Sequence, residues 1–162
     1  MRLNEGVEWT LHCCTILGAL PPDIALTSSR LAEFHGVTPS YLSKQLQLLK
    51  RAGIVTSAPG RKGGFRLAKA AADVSLLDVV MAIEGDQPAF RCTEIRQQGP
   101  SAVPVERYLN PCGIAAAMWR AEDAWREQLR ETTIADLLAG LATSIDPEQL
   151  DKSIEWVTEV AL

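Results

Sequence analysis

Apolar side chains recur at helical spacing along most of this chain, with one short stretch that alternates instead. Val7, Leu11, Cys14 and Gly18 form one stripe, which predicts a first helix over 4–20 that packs on the two helices after it, and Leu20-Pro21-Pro22-Asp23 ends it. Leu31, Ala32 and Phe34 face inward from a short helix over 27–36, capped by Thr27 or Ser28. After Gly36-Val37, Thr38-Pro39 starts a third helix, with a side-chain oxygen at the cap and proline where its missing N–H costs nothing. Leu42, Leu46 and Leu49 are its inner face, Ser40, Ser43, Lys44, Gln47 and Arg51 its outer one, and Gly53 closes it. The alternation comes next: strands over 54–57 and 65–67 flank a glycine-rich turn over 58–64. Ser75-Leu76-Leu77-Asp78 has capping-box spacing and opens a helix through Glu84, with Val79, Val80 and Ile83 inward and Gly85 as the stop.

The second half reads differently. Residues 86–110 contain a glycine, three prolines and no sustained period, and a loop this long is usually functional. Asn110-Pro111 repeats the cap-plus-proline signal, placing Cys112 in the first turn of a helix whose stripe is Ile114, Met118, Ala121, Trp125 and Leu129. At about 1.5 Å per residue that helix is too long for a small domain to bury, so its stripe is expected to meet a symmetry mate in a homodimer. Thr132 or Thr133 caps a further helix through Leu138, and 147–160 reads as an acidic amphipathic tail helix. The fold expected is mainly α with a small β-wing: a winged helix-turn-helix over 1–85, a loop over 86–111, a dimerisation helix and short helix over 112–140, and a tail over 141–162.

Charge changes the picture. The chain is acidic overall, at −4, yet residues 38–69 hold seven Lys or Arg and no Asp or Glu. DNA affinity follows local phosphate neutralisation rather than total charge. A short helix, a tight turn and a second helix with small polar and basic residues at its exposed start match a helix-turn-helix that enters the DNA major groove. Ser40, Ser43 and Lys44 are candidates for base-edge contacts, with Tyr41 beside them. Arg61, Lys62, Gly63 and Gly64 of the wing are candidates for phosphate or minor-groove contacts. The plainer alternative is a solvated basic face. No nucleophile-base pair, phosphate loop or dinucleotide fingerprint is evident, so an enzyme is not expected. Neither a signal peptide nor a membrane-length apolar run occurs, so a cytoplasmic protein is expected.

Cysteine usage adds a second chemistry. Cys13, Cys14, Cys92 and Cys112 in a reducing compartment point to burial, redox sensing or metal binding rather than disulfides. Cys92 flanks the irregular loop, and a helix start stabilises a thiolate at Cys112. Glu8 and His12 lie about one helical turn apart beside the apolar stripe of the first helix. Two thiols, an imidazole and a carboxylate make four possible ligands. Each has a simpler reading: a Glu/His surface pair, and cysteines acting as small buried apolar residues. Cys14 belongs to the core, His35 reads as structural, and Trp9 reads as packing, although an indole beside a redox centre could move with its charge.

Taken together, Pro39-Ser40-Tyr41-Leu42, Arg51-Ala52-Gly53-Ile54-Val55, Gly63-Gly64-Phe65, Leu76-Leu77-Asp78-Val79-Val80 and Glu84-Gly85 resemble the Rrf2 family of bacterial winged-helix regulators, the group containing IscR and NsrR. The resemblance spans roughly residues 1–140 and implies a dimeric transcription regulator on double-stranded DNA, many members holding an iron-sulfur cluster. Usual members carry three clustered loop cysteines; this chain keeps only Cys92 and Cys112. Glu8-Trp9 with His12, beside Cys92-Thr93-Glu94-Ile95-Arg96, is similar to the RsrR-type subgroup. That similarity implies a 2Fe-2S cluster held by Cys92 and Cys112 of one protomer and by Glu8 and His12 of the other, with Trp9 redox-coupled. The alternative within the same fold is a clusterless regulator sensing through a thiol or a small ligand, for which the missing third cysteine argues.

Overall fold

The computed structural model describes residues 3–60 and 63–161. Helix α1 (Glu5–Ala19) is capped by Asn4, whose side chain accepts the Gly6 N–H. Helix α2 (Ser28–His35) is capped by Thr27 and closed by Gly36 in the left-handed region. Helix α3 (Pro39–Arg51) starts at Thr38 as expected, but the Thr38 side chain makes no capping bond, so proline at the first position defines the start. Strands β1 (Val55–Ala58) and β2 (Gly64–Leu67) form an antiparallel pair with Ser57 opposite Phe65. A mainly helical chain with one small wing is thus observed, each strand shifted by about a residue from its sequence expectation.

The wing is stitched to the body by backbone. Leu26 and Phe65 exchange N–H···O bonds of 3.0 and 2.7 Å, so β2 is paired on both edges near its start. The core is one cluster in which Leu31, Leu42, Leu46, Leu49, Cys13, Cys14, Val79 and Ile134 are fully buried. Helix α4 (Leu76–Glu84) starts with a complete Ser75/Asp78 capping box.

Residues 86–112 carry two short 3-10 turns, Ile95–Gln97 and Val105–Arg107. Helix α5 (Gly113–Glu131) begins later than Asn110-Pro111 suggested. Its N-cap is Cys112, because the thiol takes the Ala115 N–H while the Asn110 carbonyl is occupied by Arg96. Helix α6 (Ile134–Ser144) runs a turn and a half beyond the expected end at Leu138, since Leu137 and Leu138 pack on the core cluster and keep the helix growing against α1. A second capping box, Thr133/Asp136, sits beside the first, and Leu76 N–H to Thr132 O (2.9 Å) and Ile134 N–H to Val74 O (2.9 Å) join them. Gly18 faces Ile134 and Leu138 rather than the helix-turn-helix, so the α1 stripe divides between two partners. Helix α7 (Pro147–Ala161) returns to α2, placing Trp156 4.8 Å from Phe34 between ring centroids.

Gly64 has φ +146, and a Cβ there would lie 2.5 Å from the Leu26 carbonyl oxygen. Gly64→Ala is expected to cost about 2–4 kcal/mol, combining backbone strain with an unrelievable backbone clash. Gly36→Ala, left-handed but in open space, should cost only about 1 kcal/mol. Urea midpoints at unchanged slope would measure both, and equal losses would contradict the packing role given to Gly64.

Candidate nucleic-acid interface and metal centre

Helical periodicity puts Ser40, Lys44, Gln47 and Arg51 on the exposed side of α3, with Ser43 half-buried at its border. Lys50 is committed to the protein: its Nζ donates to Ser57 Oγ at 2.7 Å and holds the wing against the helix. On β2 the alternation that buries Phe65 turns Arg66 outward, and Lys69 follows, also exposed. Both cations lie in the same acid-free stretch as Lys44, and for Arg66 the strand alternation was the signal. Arg61 and Lys62 lie outside the described residues. Gly63 and Gly64 owe their identity to packing within the protein, where a Cβ would meet the Ala58–Pro59 or Leu26 backbone.

Tyr41 is half-buried and spoken for. Its hydroxyl donates to Asn4 Oδ1 at 2.8 Å, and its ring meets Trp9 edge-on at 5.0 Å and 75°. Asn4 therefore caps α1, receives α3, and through its own N–H reaches the Glu84 carboxylate at the end of α4. Sequence spacing offered no signal for this junction, since Asn4 and Tyr41 are 37 positions apart.

Glu8 and His12 are both exposed on α1, and both border an open groove of about 680 Å³ between α1 and α6. Leu3, Leu11, Leu137, Leu141 and Ile145 make that groove largely apolar. Behind His12, at 5.5 Å between ring centroids, lies His35, whose buried Nε2 has no hydrogen-bond partner among the described residues. Burial first, and the neighbouring His12 second, push the His35 imidazole down to about 4, so it is neutral at physiological pH.

The loop thiols sit in a different setting. Cys92 and Cys112 are half-buried, and each sulfur receives a backbone N–H, from Glu94 at 3.4 Å and from Ala115 at 3.3 Å. Glu94 holds a left-handed backbone (φ 49) unusual for a side-chain-bearing residue. Such N–H···S contacts orient the sulfurs and are of the kind that support a metal-bound sulfur. Cys13 and Cys14 are the opposite case: burial pushes the Cys13 thiol up to about 12, and burial with the adjacent Cys13 raises Cys14 further. Among the described residues of one chain, no three His, Cys, Asp or Glu side chains converge as a metal site. Glu8 and His12 are exposed one turn apart on α1, Cys92 and Cys112 are half-buried at the two ends of the loop, and among the described residues no third such side chain joins either set within the protomer.

A family model described as "Rrf2: Iron-dependent Transcriptional regulator" matches residues 3–140. Among curated proteins, the chain is 32% identical over 157 residues to YwgB of Bacillus subtilis (strain 168), named as an HTH-type transcriptional regulator, covering 97% of this chain and 95% of that one. It is 37% identical over 138 residues to protein aau3 of Rhizobium meliloti (strain 1021), covering 85% of each. Solved structures that share the fold include CymR, described as the global cysteine regulator of B. subtilis (TM-score 0.68, 20% identity, covering 86% of this chain and 97% of that one), and T. potens IscR (TM-score 0.66, 16% identity, covering 93% and 96%).

The contrast between the thiols gives a direct test. In metal-free native protein at pH 8, iodoacetamide should modify Cys92 and Cys112 and leave Cys13 and Cys14 untouched, all four reacting once the chain is unfolded. Peptide mass mapping checks this, and early labelling of Cys13 would overturn the burial assigned to α1.

Proposed function

Because the chain belongs to the Rrf2 family and is a DNA-binding transcriptional regulator, we propose that it reads redox state through a 2Fe-2S cluster shared by two protomers. Cys92 and Cys112 of one would bind it together with Glu8 and His12 of the other. The observation that carries this reading is the matched presentation of the two pairs. Both loop thiols are half-exposed and supported by backbone N–H groups, while the carboxylate and imidazole project one turn apart from α1 over an apolar groove. No single chain brings them together among the described residues, so a site on these four residues needs a second copy.

The donor set fits the group. Thiolates suit iron-sulfur chemistry, and exchanging two of four for an imidazole and a carboxylate makes the assembly about one charge less negative and easier to reduce. The bound cluster would supply a one-electron couple. The residues do the rest. On the loop and the following helix, Ile95, Leu109 and Ile114 are 74%, 84% and 70% exposed, apolar side chains that a second copy would cover. Glu8 and His12 would hold the group from α1, and any displacement of α1 would reach Tyr41, near the start of α3, through its contacts with Trp9 and Asn4. Ser40, Ser43 and Lys44 would then meet base edges, with Arg61, Lys62, Arg66 and Lys69 near the DNA backbone.

Purified without oxygen, the wild-type protein should be coloured, contain iron and sulfide, and bleach partly on reduction. Glu8→Ala or His12→Ala should lower iron content several-fold and raise cluster lability. A colourless, iron-free wild type that still binds its operator in a thiol-dependent way would replace this reading with the clusterless one. Lys44→Ala should weaken operator binding roughly ten- to hundred-fold, but random DNA only slightly, at fixed salt. Equal losses on both would remove Lys44 from base readout.

A further inference from the structure

One side chain joins the two arms that carry the loop thiols. Arg96, four positions after Cys92, sends Nε and Nη2 to the Glu94 carboxylate, with Nη2 to Oε2 at 2.8 Å. The same Nη2 donates at 3.0 Å to the backbone carbonyl of Asn110, two positions before Cys112. Its guanidinium carbon lies 5.1 Å from the centroid of the Tyr108 ring. Tyr108 returns the contact, its hydroxyl donating to the Arg96 carbonyl at 2.6 Å and accepting the Val103 N–H at 3.1 Å.

The chain of contacts runs from one sulfur towards the other. The Glu94 N–H supports Cys92 Sγ, the Glu94 carboxylate grips Arg96, Arg96 holds Asn110, and Cys112 then caps α5. A loop of this length has many conformations, and closing it before a ligand arrives removes that cost from binding. A planar fork meets the carboxylate through two parallel N–H groups while it reaches the carbonyl and the aromatic ring, a geometry that a lysine ammonium does not reproduce.

We propose that Arg96 is a positioning residue for the Cys92/Cys112 pair, closing the loop so that both sulfurs face one site in the metal-free protein and keeping a positive charge beside Cys112. The inference rests on the reading of those two cysteines as ligands, yet it makes a claim about the apoprotein that can be tested without any cluster. A permanent cation next to the site also favours its reduced, more negative state, so the midpoint potential of the loaded dimer should depend on the charge at position 96.

The test uses the full-length protein and the variants Arg96→Gln and Arg96→Lys, with circular dichroism as the folding control. In metal-free protein, phenylarsine oxide, which binds tightly only where two thiols can reach one arsenic, should bridge Cys92 and Cys112 in the wild type. Both variants should bind it roughly tenfold or more weakly, because each loses the charge-assisted fork. In anaerobically loaded protein, Arg96→Gln should shift the midpoint potential negative, whereas Arg96→Lys should stay near wild type, separating charge from positioning. Unchanged arsenical binding in both variants overturns the inference and leaves the cluster reading intact. An iron-free wild type whose arsenical binding still depends on Arg96 overturns the cluster reading and supports the positioning role. An unshifted potential in Arg96→Gln overturns the charge part alone.

Discussion

The contact of α1 with the recognition helix is the constraint on which this architecture rests. Gly6 lets Gln45 of α3 lie so close that a Cβ would come within 2.8 Å of its side-chain amide, and Cys13, Cys14 and Leu17 bury the opposite stretch of α1 in the common core. Asn4 then fastens α1 and α3 through its side-chain oxygen and the end of α4 through its backbone N–H. Close packing of this kind passes displacement on rather than absorbing it, since interiors have little free volume to yield. A helix held so tightly on one side, and exposing Glu8 and His12 on the other, would carry any displacement at its outer face to α3.

The arm is joined with comparable economy. Two capping boxes, Ser75/Asp78 and Thr133/Asp136, stand side by side and exchange backbone hydrogen bonds, so the starts of α4 and α6 are fixed to each other. Arg126 of α5 adds a polar tie, donating to Glu122, to Asp86 and to the Met81 sulfur. Helix α5 nevertheless buries only Ala115 within the protomer and leaves Ile114 and Met118 uncovered. Rigid attachment at one end with an apolar surface left open is what association with a second copy requires.

Charge is partitioned in the same spirit. Residues 1–85 hold nine basic and seven acidic side chains, whereas residues 86–162 hold seven and thirteen, which together recover the net −4. Negative charge in the second half disfavours DNA there, whereas the acid-free stretch over 38–69 favours it.

Local physics was enough for much of this. The 3.6-residue periodicity, the cap signals at Thr27, Ser75 and Thr133, the turn at Gly36 and the acid-free stretch over 38–69 are short-range properties, and they located most of the helices, the wing and the run of basic residues. Propensity also misled where tertiary contacts overrode it: Asn110-Pro111 has the form of a helix start, yet Cys112 caps α5, and α6 continues to Ser144 because α1 offers its side chains a place to pack. What tertiary structure alone decided is which distant residues meet. Tyr41 finds Asn4, Gly18 finds Ile134, and Arg96 spans from Glu94 to Asn110, because these encounters depend on how whole helices and a loop are brought together in space, which no local window of sequence encodes.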